Sequence, residues 1–261
     1  VSPERMATAV ETASGHTYSA DYYISAIHPS RLTDICDAGA FPKSYRMRVA
    51  SIPNTYSAFT LYIKLKPETF RYINHTCYYQ DDYGLVWQHG EYDAETWPRG
   101  FMYMTPSDDP QGDYASKMII NCLMPFSAVA QWSDTTVGRR GAAYEAWKQQ
   151  HAERVLDRME RLHPGFKTCV DQLWTSSPLT IRDFYNQPEG ALYGVRKDCK
   201  DIMLSQLPIW TKVKNLLLTG QNVNLHGICG VPLTAVNTVE ALIGRDKLIE
   251  KINRMDKEVG V

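Results

Sequence analysis

Apolar and polar positions along the chain fall into three stretches with different periods. In residues 1–35, segments 6–11 and 18–27 read as two strands joined by turn chemistry at Ser14-Gly15. The run Tyr22-Tyr23-Ile24-Ser25-Ala26-Ile27 is nearly all apolar, which predicts a strand covered on both faces. His28-Pro29 should end it, because proline restricts its predecessor and brings no N–H.

Residues 36–205 are dominated by separated strands. Phe59, Leu61, Ile63 and Leu65 alternate with Thr60, Tyr62 and Lys64, the period of a half-buried strand. Segments 76–79, 101–105 and 117–124 are further strands, with turn clusters at 81–84 and 106–110 between them. One helix interrupts the pattern. Tyr144, Trp147, His151, Val155, Met159 and Leu162 recur on one face, opposite Lys148, Glu153, Arg154 and Arg158, and Pro164-Gly165 stops it.

Residues 206–261 open with a short apolar strand at 215–219, pass through a glycine-rich stretch at 220–230, and continue as a helix from Pro232 to about Ile243, closed by Gly244. Strand 215–219 is expected beside the 22–27 region, although about 190 residues separate them. Leu248, Ile249, Ile252 and Met255 give the tail an amphipathic helix with a packing role. The pattern predicts an α+β chain: a largely antiparallel sheet with helical cover over 36–205, flanked by 1–35 and 206–261 as one smaller α/β unit.

Composition excludes several classes of function. A formal net charge of −1 gives no electrostatic reason for nucleic acid as a partner. Six cysteines without a C-x-x-C pair fit neither a zinc site nor a disulfide scaffold and read as thiols of a reducing compartment. His75, His89, His151 and His163 have no clustered Cys or carboxylate neighbours, so no metal site is expected. Signal-peptide and membrane-spanning patterns are absent. The chain begins at Val1 with strand-like sequence from Arg5 onward, so its start is expected to be a cut. Sixteen tyrosines and six tryptophans suit a flat, greasy ligand, or simply a β-rich core.

Chemistry concentrates in segment 216–235. A buried strand, a turn with Gly220, Gly227 and Gly230, and a helix start present free N–H groups and the positive end of a dipole to a ligand that approaches closely. That arrangement alone is a weak signal. Its wording, Thr-Gly-Gln-Asn-x-Asn-x-His-Gly-x-x-Gly over 219–230, resembles the last FAD-contacting segment of the phytoene desaturase, carotenoid isomerase and retinol saturase flavoproteins, within the amine-oxidase-like superfamily. Segment 15–29 is similar to the strand entering that family's substrate domain. Ser177-Pro178-Leu179-Thr180, with Tyr185, Pro188, Gly190, Tyr193 and Gly194, is similar to its P-L-T … G-x-x-Y-G segment. The helix ending at His163-Pro164-Gly165 lies where the family places one.

The resemblance covers nearly the whole chain and implies the C-terminal half of an FAD-dependent oxidoreductase. Residues 36–205 would be its substrate-binding domain, and 1–35 with 206–261 the remnants of a Rossmann-like FAD domain. It implies desaturation, saturation or isomerisation at carbon–carbon bonds of a hydrophobic polyene or isoprenoid, in a cytoplasmic or membrane-associated protein with peripheral membrane contact. Gly220, Gln221, Asn222, His226, Gly227, Gly230, Val231 and Pro232 are the implied cofactor residues, and His28, Tyr185 and Tyr193 the implied substrate residues. Each has a plainer alternative: a structural turn for the first group, a satisfied turn histidine for His226, a strand end for His28, and aromatic packing for the two tyrosines. G-x-G-x-x-G, which holds the FAD pyrophosphate in such enzymes, is absent. An N-terminal FAD-binding segment is therefore expected to be missing, and the chain alone to bind FAD weakly or not at all and to be inactive. Gln221 departs from the acidic residue that many superfamily members carry near the ribityl chain, and an amide still hydrogen-bonds a hydroxyl. A non-catalytic module for a hydrophobic ligand or partner, and an amine-oxidase-like flavoenzyme, remain as alternatives.

Overall fold

The computed structural model describes residues 1–87, 91–106, 108 and 112–259, of which 256–259 by backbone alone. His89, and Ser107, Asp109 and Pro110 of the expected turn at 106–110, lie outside the described residues. The chain divides into two compact units, Val1–Asn54 with Tyr193–Val261, and Thr55–Leu192. The divisions expected at 35 and 205 thus fall at 54 and 192. The reason is packing: Leu32, Phe41, Val49 and Ile52 share one core with Val195, Leu207, Val213, Leu216 and Leu218.

In the first unit, β1 (Val10–Glu11) and β2 (Thr17–Tyr18) form a short hairpin turned at Gly15. The strand expected over 18–27 breaks, leaving β3 (Tyr23–Ser25) on its own. Asn215 is the cause: its side chain binds the carbonyls of Ala7 and Asp21 and the N–H of Ala7, at 2.7–3.0 Å, so backbone groups there pair with an amide rather than a ladder. β3 is not covered on both faces, since Ile24 is 50% exposed. Two helices that periodicity did not announce come next, α1 (Pro29–Ile35) and α2 (Lys43–Ser51).

The second unit contains β4 (Ser57–Leu65), β5 (Cys77–Gln80), β6 (Gly100–Met104), β7 (Lys117–Met124), α3 (Ala142–Leu162), α4 (Phe166–Cys169), β8 (Val170–Ser176) and α5 (Pro178–Tyr185). Its five strands run in the order β5-β6-β7-β4-β8, each pair antiparallel. Phe59, Leu61 and Ile63 lie level with Cys122, Ile120 and Met118, and Ala152, Val155, Leu156 and Met159 of α3 cover that face. The opposite face stays open at Tyr62 and Trp174, cross-strand neighbours 43% and 54% exposed, and at Tyr78, 76% exposed.

The chain then returns to the first unit through α6 (Ile202–Ser205), β9 (Leu216–Leu218), α7 (Gly227–Ile243) and α8 (Lys247–Val259). β9, fully buried, pairs in parallel with β3, Tyr23 opposite Leu216 and Ser25 opposite Leu218. α7 starts at Gly227 rather than Pro232. Pro232 removes the N–H that would bond the Ile228 carbonyl, a tolerable loss one turn into a helix whose Ile228 side chain is 92% exposed. Of the stripe on α8, Leu248 is half-buried, while Ile249, Ile252 and Met255 are exposed. Among the described residues no helix is long and apolar enough to cross a membrane.

Candidate functional site

The glycine-rich segment leaves β9 under tight control. The Thr219 N–H donates to the Ser25 carbonyl at 2.9 Å, and the Val223 N–H donates to the Gly220 carbonyl at 3.3 Å. Gly220 has φ +84°, and a Cβ there would make ordinary contact with Ala26, so backbone angle rather than space demands glycine. Asn222 is 2% exposed, and its Oδ1 accepts the Val195 N–H at 3.0 Å. Its Nδ2 is buried and has no hydrogen-bond partner among the described residues. A buried amide donor left without a partner is uncommon in a folded protein and calls for an explanation.

Lys197 is a residue that sequence reasoning missed. Its Nζ donates to the carbonyls of Asn222 at 2.9 Å, Ser205 at 3.0 Å and Val223 at 3.3 Å. No described carboxylate forms an ion pair with it, and burial lowers its pKa to about 8. Between Arg196 and Asp198 it looks like one more solvated charge, and only the fold reveals its use.

Further along, His226 precedes α7 and makes no capping bond. Its ring stacks on Tyr193, centroids 4.8 Å apart and planes 29° from parallel. Two residues assigned to different ligands by sequence are thus brought together. Gly227, φ +84°, has open space around it. Gly230 does not. A Cβ there would lie 2.6 Å from the Leu225 carbonyl carbon and 2.7 Å from its oxygen, so this buried glycine lets the turn pack onto its own helix. What faces outward is apolar: Leu225, Ile228, Val231 and Leu233 are exposed, with Pro232 among them, while Gln221 is half-buried. Thr238 ties the helix back to β9 through the Leu218 carbonyl at 3.2 Å.

His28 caps α1. It is 3% exposed, its Nδ1 lies 2.9 Å from the Ser30 hydroxyl, and its Nε2 lies 3.0 Å from Asn54 Oδ1. Both ring nitrogens are engaged, and burial lowers its pKa to about 4. Tyr185 ends α5 in the second unit, 74% exposed, so aromatic packing does not occupy it. His151 and His163 bond the hydroxyls of Tyr92 and Tyr103, each at 2.9 Å, and burial lowers both of their pKa values. No group of three or more metal-ligating side chains occurs among the described residues.

No protein-family model matches the chain. All-trans-retinol 13,14-reductase from Homo sapiens is 25% identical over 173 residues, which are 64% of this chain and 28% of that protein. The Macaca fascicularis reductase is 27% identical over 160 residues, 59% of this chain and 26% of its own length. The chain has retinol reductases as distant relatives. It spans little more than a quarter of their length. An oxidoreductase from Methanosarcina mazei shares the fold, with a TM-score of 0.50 at 12% identity, over 92% of this chain and 47% of that one. These relatives are oxidoreductases, and the mixed α+β architecture is one that an oxidoreductase has.

Proposed function

We propose that this chain carries the isoalloxazine end of an FAD site, and the substrate-binding unit, of an oxidoreductase acting on a carbon–carbon bond of a hydrophobic polyene or isoprenoid. The observation that carries the reading is segment 219–232: an unpartnered buried amide donor at Asn222, glycine-only backbone at Gly220 and Gly227, and an exposed apolar first turn of α7. These features fit a flat ring with polar edges. Asn222 Nδ2 offers a donor to a ring carbonyl or nitrogen, and Ile228 and Val231 offer apolar surface to a ring face. His226 and Tyr193 form an aromatic flank beside them.

When bound, the flavin supplies hydride exchange, and the protein positions the substrate and tunes the ring. The open face of the sheet offers Tyr62, Trp174 and Tyr78 as aromatic surface against which a polyene could lie, among polar neighbours such as Asn121 and Ser176. We assign the pyrophosphate and adenosine contacts to a segment outside this sequence, because no G-x-G-x-x-G lies within it. The retinol reductase relatives favour saturation as the direction.

The test is made on the protein expressed from its complete gene. Denaturation should release FAD, and the dithionite-reduced protein, held without oxygen, should be reoxidised by a conjugated polyene alcohol with loss of polyene absorbance. A flavin-free protein, or a reduced flavin that no polyene or isoprenoid reoxidises, contradicts the reading.

A further inference from the structure

We infer that Lys197 is a positioning residue for the ring end of the site, holding turn 220–224 in its ligand-accepting shape from behind. The inference rests on the flavin reading for the identity of the ligand only. Its basis is geometric. An ammonium has three N–H donors, and here the three go to the carbonyls of Asn222, Val223 and Ser205 at 2.9–3.3 Å. Two of those acceptors are the backbone of the turn, and the third belongs to the last residue of α6.

A second set of contacts converges on the same turn. Asn222 Oδ1 is fixed by the Val195 N–H, two residues before Lys197. One strand of loop, 194–197, therefore grips Asn222 by its side chain at one end and by its main chain at the other. The grip decides where Asn222 Nδ2 points, and that amide is the unpartnered donor. Hydrogen bonds from a charged donor are the stronger kind, and no described carboxylate competes for the ammonium. Lys197 touches neither ring nor substrate. It acts through Asn222.

The experiment compares wild type with Lys197→Met and Lys197→Arg by amide hydrogen exchange, melting and FAD titration. In Lys197→Met, exchange at residues 222–224 should rise about tenfold or more and FAD affinity should fall by a similar factor. The amides of β4 and β7 should exchange at the wild-type rate. Lys197→Arg keeps charge and donors and should recover most of both effects. Unchanged exchange at 222–224 in Lys197→Met overturns the inference, as does loss of affinity with no recovery in Lys197→Arg. Should Lys197→Met fail to fold, the wild-type protein still decides. Its Lys197 ammonium protons should be visible by NMR as slowly exchanging, and a freely exchanging ammonium overturns the inference. If wild type takes up no flavin, the flavin reading falls, while hydrogen exchange still rules on Lys197.

Discussion

Asn222 Oδ1 occupies the space where a side chain on residue 194 would begin: a Cβ on Gly194 would lie 1.9 Å from it. Gly194 also has φ +70°, so both space and backbone angle reserve the position for glycine. Gly194→Ala should therefore destabilise the protein by about 2–4 kcal/mol, by displacing Asn222 and straining the backbone. Asn222→Ala should cost about 1–3 kcal/mol by leaving the buried Val195 N–H unpaired. Because one atom is at issue in both, the double variant should lose clearly less than the sum. Urea denaturation of the four proteins measures this, and additive losses would refute the contact.

Gly230→Ala should lower the melting temperature of the flavin-free protein. The new methyl would meet the Leu225 backbone, which cannot move aside as a flexible side chain could, and overpacking of this kind costs about 1–3 kcal/mol. Calorimetry checks it. An unchanged melting temperature with lost flavin affinity would instead favour a ligand-facing role for Gly230.

His28 makes stability depend on pH. Its folded pKa is about 4, below the ordinary 6.5, so between those values the unfolded chain takes up a proton that the folded chain refuses. Stability should fall as pH drops from 6.5 towards 4, with His28 responsible for up to about 3 kcal/mol. His151 and His163, also lowered by burial, add slope of the same sign. His28→Asn keeps a residue type suited to the cap and removes the titration, so its stability curve should be flatter in that window. Equal slopes for the two proteins would contradict the assignment.

Sequence periodicity revealed the elements whose two faces differ. β7 and α3 bury one face more deeply than the other, and β4 does so beyond Leu61, so alternation and helical spacing placed all three within a residue or two. That β3 and β9 lie side by side could likewise be anticipated, because a short all-apolar strand needs a neighbour, whereas their parallel direction could not. β8 could not be read. As an edge strand it opens Val170-Asp171-Gln172-Leu173, and its core-facing Val170 and Leu173 fall three residues apart because the ladder shifts register at Lys64/Leu65. α1 and α5 hid behind His28-Pro29 and Ser177-Pro178, where proline reads as the end of one element as easily as the start of the next. The same residue type misled at Pro232, placed at a helix start when it sits inside α7. For the candidate site, the wording of 219–230 is what singled out the segment. The inward turn of Gly230, the capping of His28 and the reach of Lys197 depend on contacts that no local pattern encodes.

The assignment of segment 219–232 to the isoalloxazine ring is best tested by titrating this chain with riboflavin, FMN and FAD, observed by quenching of flavin fluorescence, in wild type and Asn222→Ala. The three ligands share only the ring and its ribityl chain. Weak, saturable binding of similar strength is expected for all three, with a loss of about tenfold or more in Asn222→Ala, the share of one buried hydrogen bond to the ring. Saturable flavin binding of equal strength in wild type and Asn222→Ala would contradict the assignment.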